Sequence, residues 1–170
     1  MTFPEIILIN QWHGWFKGTK FPCSIGRGGI NNVKTEGDGV TPAGVYSLEN
    51  VLYRPDRVSR LFLPPQAIPI RKGYIWSDDP LDPHYNKLIH NGANWTFSHE
   101  KMFRADSLYD IVIPIDYNRA NPEPGKGSAI FLHVWRGPRI PTEGCVAVDW
   151  KTMIWIVGTL TGETQIVINS

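Results

Sequence analysis

The chain has 170 residues, 42% of them hydrophobic and 12% aromatic, which suits one domain, 1–170, with a sizeable core. Its formal net charge is +1, so no electrostatic footprint points to nucleic acid or to an acidic membrane surface. With 14 Pro and 16 Gly, turns and loops are frequent, as in a mainly β fold rather than a helical bundle.

No apolar stretch reaches the length of a membrane span. The opening residues, Met1 to Asn10, show no basic segment and too short an apolar run for a secretory leader. Two cysteines, Cys23 and Cys145, make no disulfide framework and fit free thiols in a reducing compartment. The expectation is a cytoplasmic protein, or a periplasmic one if a signal peptide has been removed.

Glu5 to Asn10 reads as a first strand, and 15–20 and 21–25 as two more around a Lys-Gly turn. Gly26-Arg-Gly-Gly29 lacks the spacing of a phosphate loop, so it reads as a turn or bulge where backbones approach closely. Glu36 to Gly44 is a second punctuated loop, leading into strand-like alternation from Val45 toward Tyr53. Prolines break regular structure at 54–57 and 63–65, and leave 68–70 at most an edge strand. Trp76 to Asn86 reads as a loop, and Ser98 to Phe103 as one helical turn capped by Ser98. Tyr109 to Tyr117 and Ser128 to Val134 are strong strands joined by a turn-rich link at 121–127. Asp149 caps the best helix, 150–160, where Met153, Ile154, Ile156, Val157 and Leu160 repeat at helical spacing. Gln165 to Ile168 is a final strand.

The chemistry gathers between His133 and Cys145. A cysteine thiol is little ionised at neutral pH, and its thiolate is the nucleophile. His133 lies twelve residues upstream on a strand feeding the same loop. The helix opening near Asp149, with Arg136 and Arg139, adds positive potential. Gly144 lets the backbone turn so that its own amide and that of Cys145 face one point, as an oxyanion hole requires. A buried, inert cysteine is the competing reading. No Cys-x-x-Cys or His-x-x-x-His pair supports a zinc site, so no metal is expected.

Ser128-Ala-Ile-Phe-Leu-His133 followed by Pro141-Thr-Glu-Gly-Cys-Val-Ala147 resembles the catalytic segment of the YkuD-type L,D-transpeptidase domain. The resemblance extends over Glu36 to Gly44, Tyr53 to Asp56, Asp78 to Pro80 with Tyr85-Asn86, Ser98 to Glu100 and Leu108 to Asp110, and so over most of the chain. The ordered set is more specific than the Thr-x-Gly-Cys box alone. It implies a β-sandwich or barrel, with a late helix following the cysteine loop. It also implies attack on the meso-diaminopimelate carbonyl of a peptidoglycan stem tetrapeptide, loss of D-alanine, and transfer of the acyl group to water or an amine. By position Cys145 matches the nucleophile, His133 the general base, and Gly144 with Cys145 the oxyanion amides; no cofactor is implied.

The sequence departs from the common family box at Glu143, which stands in place of a histidine, and at Ala147, in place of Arg or Asn. Glu143 is either a solvated loop carboxylate or a group that orients an amine or a water. His99 and Glu100 are candidates for the substrate groove or for local capping, and Tyr109 and Asp110 for the pocket or a strand start. Arg54, Arg57 and Arg136 are candidate anchors for a substrate carboxylate. His13, His84 and His90 read as surface or loop histidines, and the seven Trp as core and groove walls. The favoured expectation is an L,D-carboxypeptidase acting on muropeptides in cell-wall recycling. An L,D-transpeptidase and a non-catalytic peptidoglycan-peptide binding module are the alternatives.

Overall fold

The structure is a computed structural model and describes residues 5–170; Met1 to Pro4, part of the stretch searched for a leader, lie outside it. In chain order the strands are β1 (Ile6–Asn10), β2 (His13–Phe16), β3 (Thr19–Pro22), β4 (Ile30–Asn31), β5 (Thr41–Pro42), β6 (Gly44–Ser47), β7 (Leu52–Tyr53) and β8 (Ile68–Pro69). They continue as β9 (Ile75–Ser77), β10 (Leu88–Ile89), β11 (His99–Lys101), β12 (Ile111–Pro114), β13 (Phe131–Val134), β14 (Val146–Val148) and β15 (Gln165–Asn169). The helix, α1 (Trp150–Thr159), falls between β14 and β15.

One five-stranded sheet runs β3-β2-β1-β15-β6, and a second runs β14-β13-β12-β7-β8. The β2–β3 hairpin turns through Lys17 and Gly18, both at positive φ (46° and 75°), the combination whose twist matches paired strands. β12, β13 and β14 are buried along their whole lengths, so the second sheet is covered on both faces. Alternation along the strands divides its residues between two cores. Ile111, Ile113, Leu132, Val134, Val146 and Val148 face Ile7, Ile9, Ile166, Ile168 and the Met153, Ile156 and Val157 stripe of α1. Val112, Phe131 and Cys145 face the other way, toward Trp76 and Met102 of the smaller sheet β10-β9-β11 and its flank. The candidate nucleophile therefore sits in the minor core, between the central sheet and this small sheet.

Asp149 caps α1 as expected, accepting from the Thr152 amide at 3.0 Å, an interaction worth about 1 kcal/mol. Ile68–Pro69 is an edge strand, as its proline requires. Two expectations are corrected. Ser98 to Phe103 is not a helical turn: its centre is β11, paired antiparallel with β9. The expected loop from Trp76 begins inside β9. In both places short strands gain their hydrogen bonds from distant partners, so tertiary pairing overrides the local cap signal.

Candidate active site

The connection from β13 to β14 runs over residues 135–145 and is fastened by segment 24–28. Ser24 and Ala147 exchange backbone hydrogen bonds at 2.7 and 2.9 Å, and Thr142 and Ile25 join at 2.9 Å, Arg27 and Thr142 at 2.8 Å. Thr41 Oγ1 accepts from the Gly26 amide and donates to the Gly144 carbonyl, both at 2.8 Å. At Gly26 a Cβ would stand 2.0 Å from the Gly39 carbonyl oxygen and 2.9 Å from Gly144 Cα. Only glycine permits three backbones to meet there, so the Gly-Arg-Gly-Gly turn serves close approach.

His133 pairs with Ala147 in the parallel β13–β14 ladder. Cys145, two residues before Ala147, points to the same side, and all three line one cavity of about 250 Å³. The Cys145 thiol donates to the Ala129 carbonyl at 3.2 Å, and its sulfur accepts from the Phe131 amide at 3.4 Å. Burial, and then the Glu100 carboxylate, push this thiol up; the Phe131 amide and Lys34 draw it down by less. The resting sulfur is a neutral thiol. Burial likewise lowers the His133 imidazole to about 4, so it is neutral at physiological pH. His133 Nδ1 lies 2.7 Å from the Val134 carbonyl oxygen. A carbonyl only accepts, so Nδ1 carries the proton and Nε2 holds the free lone pair. Among the described residues no hydrogen bond joins Cys145 to His133 directly.

Tyr109 packs its ring edge-on against His133 at 5.2 Å and donates its hydroxyl to Glu100. Burial pushes the Glu100 carboxyl up against the opposing pull of that hydroxyl. Arg104 covers the Tyr109 ring at 5.0 Å and pairs with both oxygens of Asp106 through Nε and Nη2 at 2.8 and 2.6 Å. Arg136 stands exposed at the cavity mouth with no ion-pair partner among the described residues. Glu143 lines the same mouth, 77% exposed, with its carboxylate 2.8 Å from Arg27 Nε.

Of the residues singled out in the sequence, Cys145, His133, Tyr109, Arg136, Glu143 and Glu100 meet in this cavity. Three others have different surroundings. His99 lies on the face of β11 opposite Glu100 and does not line the cavity, because strand alternation turns neighbours apart. Arg54 is buried elsewhere, pairing with Asp56, donating to the Arg104 carbonyl and lying 3.6 Å over the Phe103 ring. Arg57 likewise holds Asp110 and the carbonyls of Ala105 and Asp106. These two arginines fasten the loop that carries Arg104. The Gly144 amide donates to Thr142 Oγ1 at 3.1 Å, so it is engaged before any oxyanion forms. The helix N-terminus is separated from Cys145 by the whole of β14 and does not act on the sulfur at short range.

Sequence reasoning did not single out Arg104, Thr142 or Lys34. Thr142 Oγ1 donates to the Cys145 carbonyl at 2.6 Å and so braces the loop across its turn. A Thr in a Thr-x-Gly-Cys string was its available signal. Lys34 carried no local signal, since its partners are set by packing.

Several solved structures resemble this chain. One is the helical cell shape determining protein Pgp2 from Campylobacter jejuni, at TM-score 0.49 and 15% identity, covering 98% of this chain and 48% of that one. Another is Bd1075 of Bdellovibrio bacteriovorus, at 0.48 and 19%, covering 97% and 47%. A third is an L,D-transpeptidase from Mycobacterium smegmatis, at 0.43 and 11%, covering 98% and 58%. The chain thus spans about half the length of the structures it resembles. No curated protein matches its sequence. The sequence model of the YkuD family, described as the L,D-transpeptidase catalytic domain, matches residues 13–168. With nearly its whole length matched, this chain belongs to the YkuD family of L,D-transpeptidase catalytic domains.

Proposed function

We propose that the protein is a cysteine acyl-transfer enzyme acting on the bond between meso-diaminopimelate and D-alanine in peptidoglycan stem tetrapeptides, with water as the acceptor. The observation that carries this reading is the convergence of Cys145 sulfur and a neutral, tautomer-fixed His133 on one cavity. His133 Nε2 takes the thiol proton as sulfur attacks the carbonyl carbon, forming the S–C bond and an oxyanion. On this reading the Cys145 amide donates to that oxyanion, and the Gly144 amide joins it once it leaves Thr142 Oγ1. The intermediate collapses, the C–N bond breaks, and D-alanine leaves with the proton from His133. Water, giving its proton to His133, then cleaves the thioester to tripeptide and free thiol.

Size supports the hydrolytic branch. A cavity of about 250 Å³ lies below the roughly 300–1,000 Å³ of sites that enclose a drug-sized ligand. The space vacated by D-alanine admits water more readily than a second stem peptide. Arg136, free at the mouth, is the group suited to the D-alanine carboxylate. Soluble muropeptides in the cytoplasm are the proposed substrates, a compartment consistent with Cys23 and Cys145 both being free thiols.

A second reading, transpeptidation, is favoured by Glu143, a carboxylate at the mouth suited to holding an ammonium acceptor. Both are tested by incubating the protein with disaccharide tetrapeptide, with and without a D-amino acid, and reading products by mass spectrometry. Tripeptide plus D-alanine is the expected result. Exchange products alone would replace hydrolysis with transfer, and no product of either kind from protein with an alkylatable thiol would overturn acyl transfer.

A further inference from the structure

Behind the Cys145 loop lies a buried cation that the acyl-transfer steps above do not use. Lys34, in the connection between β4 and β5, is 8% exposed. Its side chain runs under Gly127, where a Cβ would come 2.6 Å from Lys34 Cε. Its ammonium reaches the back of the nucleophile loop: a Cβ on Gly144 would stand 3.4 Å from Lys34 Nζ and 2.9 Å from the Val40 carbonyl oxygen. Asp38 holds the ammonium in place at 2.9 Å. The same carboxylate accepts from the Thr35 amide at 2.7 Å and the Val40 amide at 2.9 Å, closing the 35–40 turn around it. An ammonium has three N–H groups, and Asp38 is the one side chain that pairs with it among the described residues. Glycines at 127 and 144 leave the room in which it lies.

We propose that Lys34 is a positioning residue of the thiol site, its ammonium serving from beneath Gly144 as the counter-charge for the sulfur as it becomes an anion. Taking a charge out of water is costly, and placing it against the nucleophile loop gives that cost a return at the moment charge develops on Cys145. The charged and titratable groups around Cys145 come from four directions. Lys34 lies beneath the loop, Glu100 projects from β11, His133 comes from β13, and Tyr109 lies between Glu100 and His133. Arg104, Arg136 and Glu143 line the same cavity nearer its mouth. Glu100 opposes an anionic sulfur and Lys34 favours it. Asp38 tempers Lys34, so the pair sets how much positive field reaches the sulfur.

The proposal rests on Cys145 being the nucleophile, and its test needs no substrate. The alkylation rate of Cys145 by iodoacetamide is followed against pH in the whole protein, with peptide mass mapping separating Cys145 from Cys23. Lys34→Met is expected to slow alkylation at fixed pH by about tenfold and move the profile up by about one pH unit. Lys34→Arg restores the position. Asp38→Asn, which leaves the cation unopposed, moves the profile the other way and speeds alkylation. Simple loosening of the loop would shift Lys34→Met and Asp38→Asn in the same direction, or leave both midpoints in place, and either outcome overturns the proposal. Should Lys34→Met not fold, Asp38→Asn is compared with Asp38→Glu, which disturbs the same turn but keeps the charge: acceleration in Asp38→Asn alone upholds the counter-charge, and equal changes in both, no change or slowing overturn it. Tetrapeptide turnover that survives Cys145→Ala would instead reject the nucleophile assignment, a result separate from the alkylation profile.

Discussion

Cys145 and His133 stand diagonally on one face of the central sheet, His133 opposite Ala147 and Cys145 two residues before it. Both side chains line the one cavity between the central and small sheets. A substrate entering the cavity therefore meets sulfur and imidazole together. Cys145→Ala is expected to abolish D-alanine release. His133→Asn is expected to lower kcat by about 10²–10⁴, the usual contribution of a positioned base. Turnover by mass spectrometry checks both; near-parental activity in His133→Asn would remove it as the base.

The acid side of the pH profile follows from His133. Its imidazole titrates near about 4 in the folded protein against 6.5 when exposed. Its base form thus persists well below neutrality, and the acid limb of kcat/KM is expected near 4. The unfolded chain takes up the proton first as pH falls. Stability from a neutral buried His133 is present in full above 6.5 and is lost between 6.5 and 4, amounting to about 3 kcal/mol. Urea unfolding across that window should show this loss in the parent and not in His133→Asn. An equal slope in both proteins would contradict it.

Gly26 and Gly18 make a matched pair of substitutions. Gly18→Ala meets open space at φ 75° and is expected to cost about 1–2 kcal/mol with unchanged turnover. Gly26→Ala drives a methyl into the Gly39 carbonyl and Gly144 Cα. It is expected to destabilise by several kcal/mol, above the usual range for single substitutions, and to lose activity in the molecules that remain folded. Thermal melts with active-site titration by alkylation separate the two effects.

Glu143 decides the acceptor if any single side chain does. It is 77% exposed and among the described residues pairs with Arg27 alone, itself 51% exposed, so Glu143→Gln is expected to change stability by less than about 1 kcal/mol. With a D-amino acid present, the ratio of exchange to hydrolysis product is expected to fall in this variant while hydrolysis continues. An unchanged ratio would leave Glu143 a solvated loop carboxylate.

Most of the fold was legible wherever a signal was local. The β2–β3 turn, the edge strand with Pro69, the Asp149 cap and the largely apolar runs of β12 and β13 all carry their instructions in adjacent residues. Ser98 to Lys101 did not, because a serine before polar residues reads as a cap until β9 is known to lie beside it. The site divides in the same way. Cys145 and His133 followed from chemistry and family resemblance. Which face of β11 looks inward, and so Glu100 rather than His99, depends on the register with β9. Arg54 looked like an anchor for a ligand because its sequence does not reveal that Asp56 and the Arg104 carbonyl already occupy it. Lys34 was silent because only the folded chain brings it under Gly144.

The thiol of Cys145, donated to the Ala129 carbonyl and sealed by burial, bears on how the protein endures oxidants. Peroxide attacks exposed thiolates, and its selectivity follows ionisation and access. A sulfur kept neutral and covered is passed over while more acidic, exposed thiols are consumed. In the proposed mechanism the sulfur becomes vulnerable only in the interval when its proton has moved to His133. On that mechanism Cys145 is expected to outlast exposed thiols under peroxide, and to do so with no disulfide to Cys23.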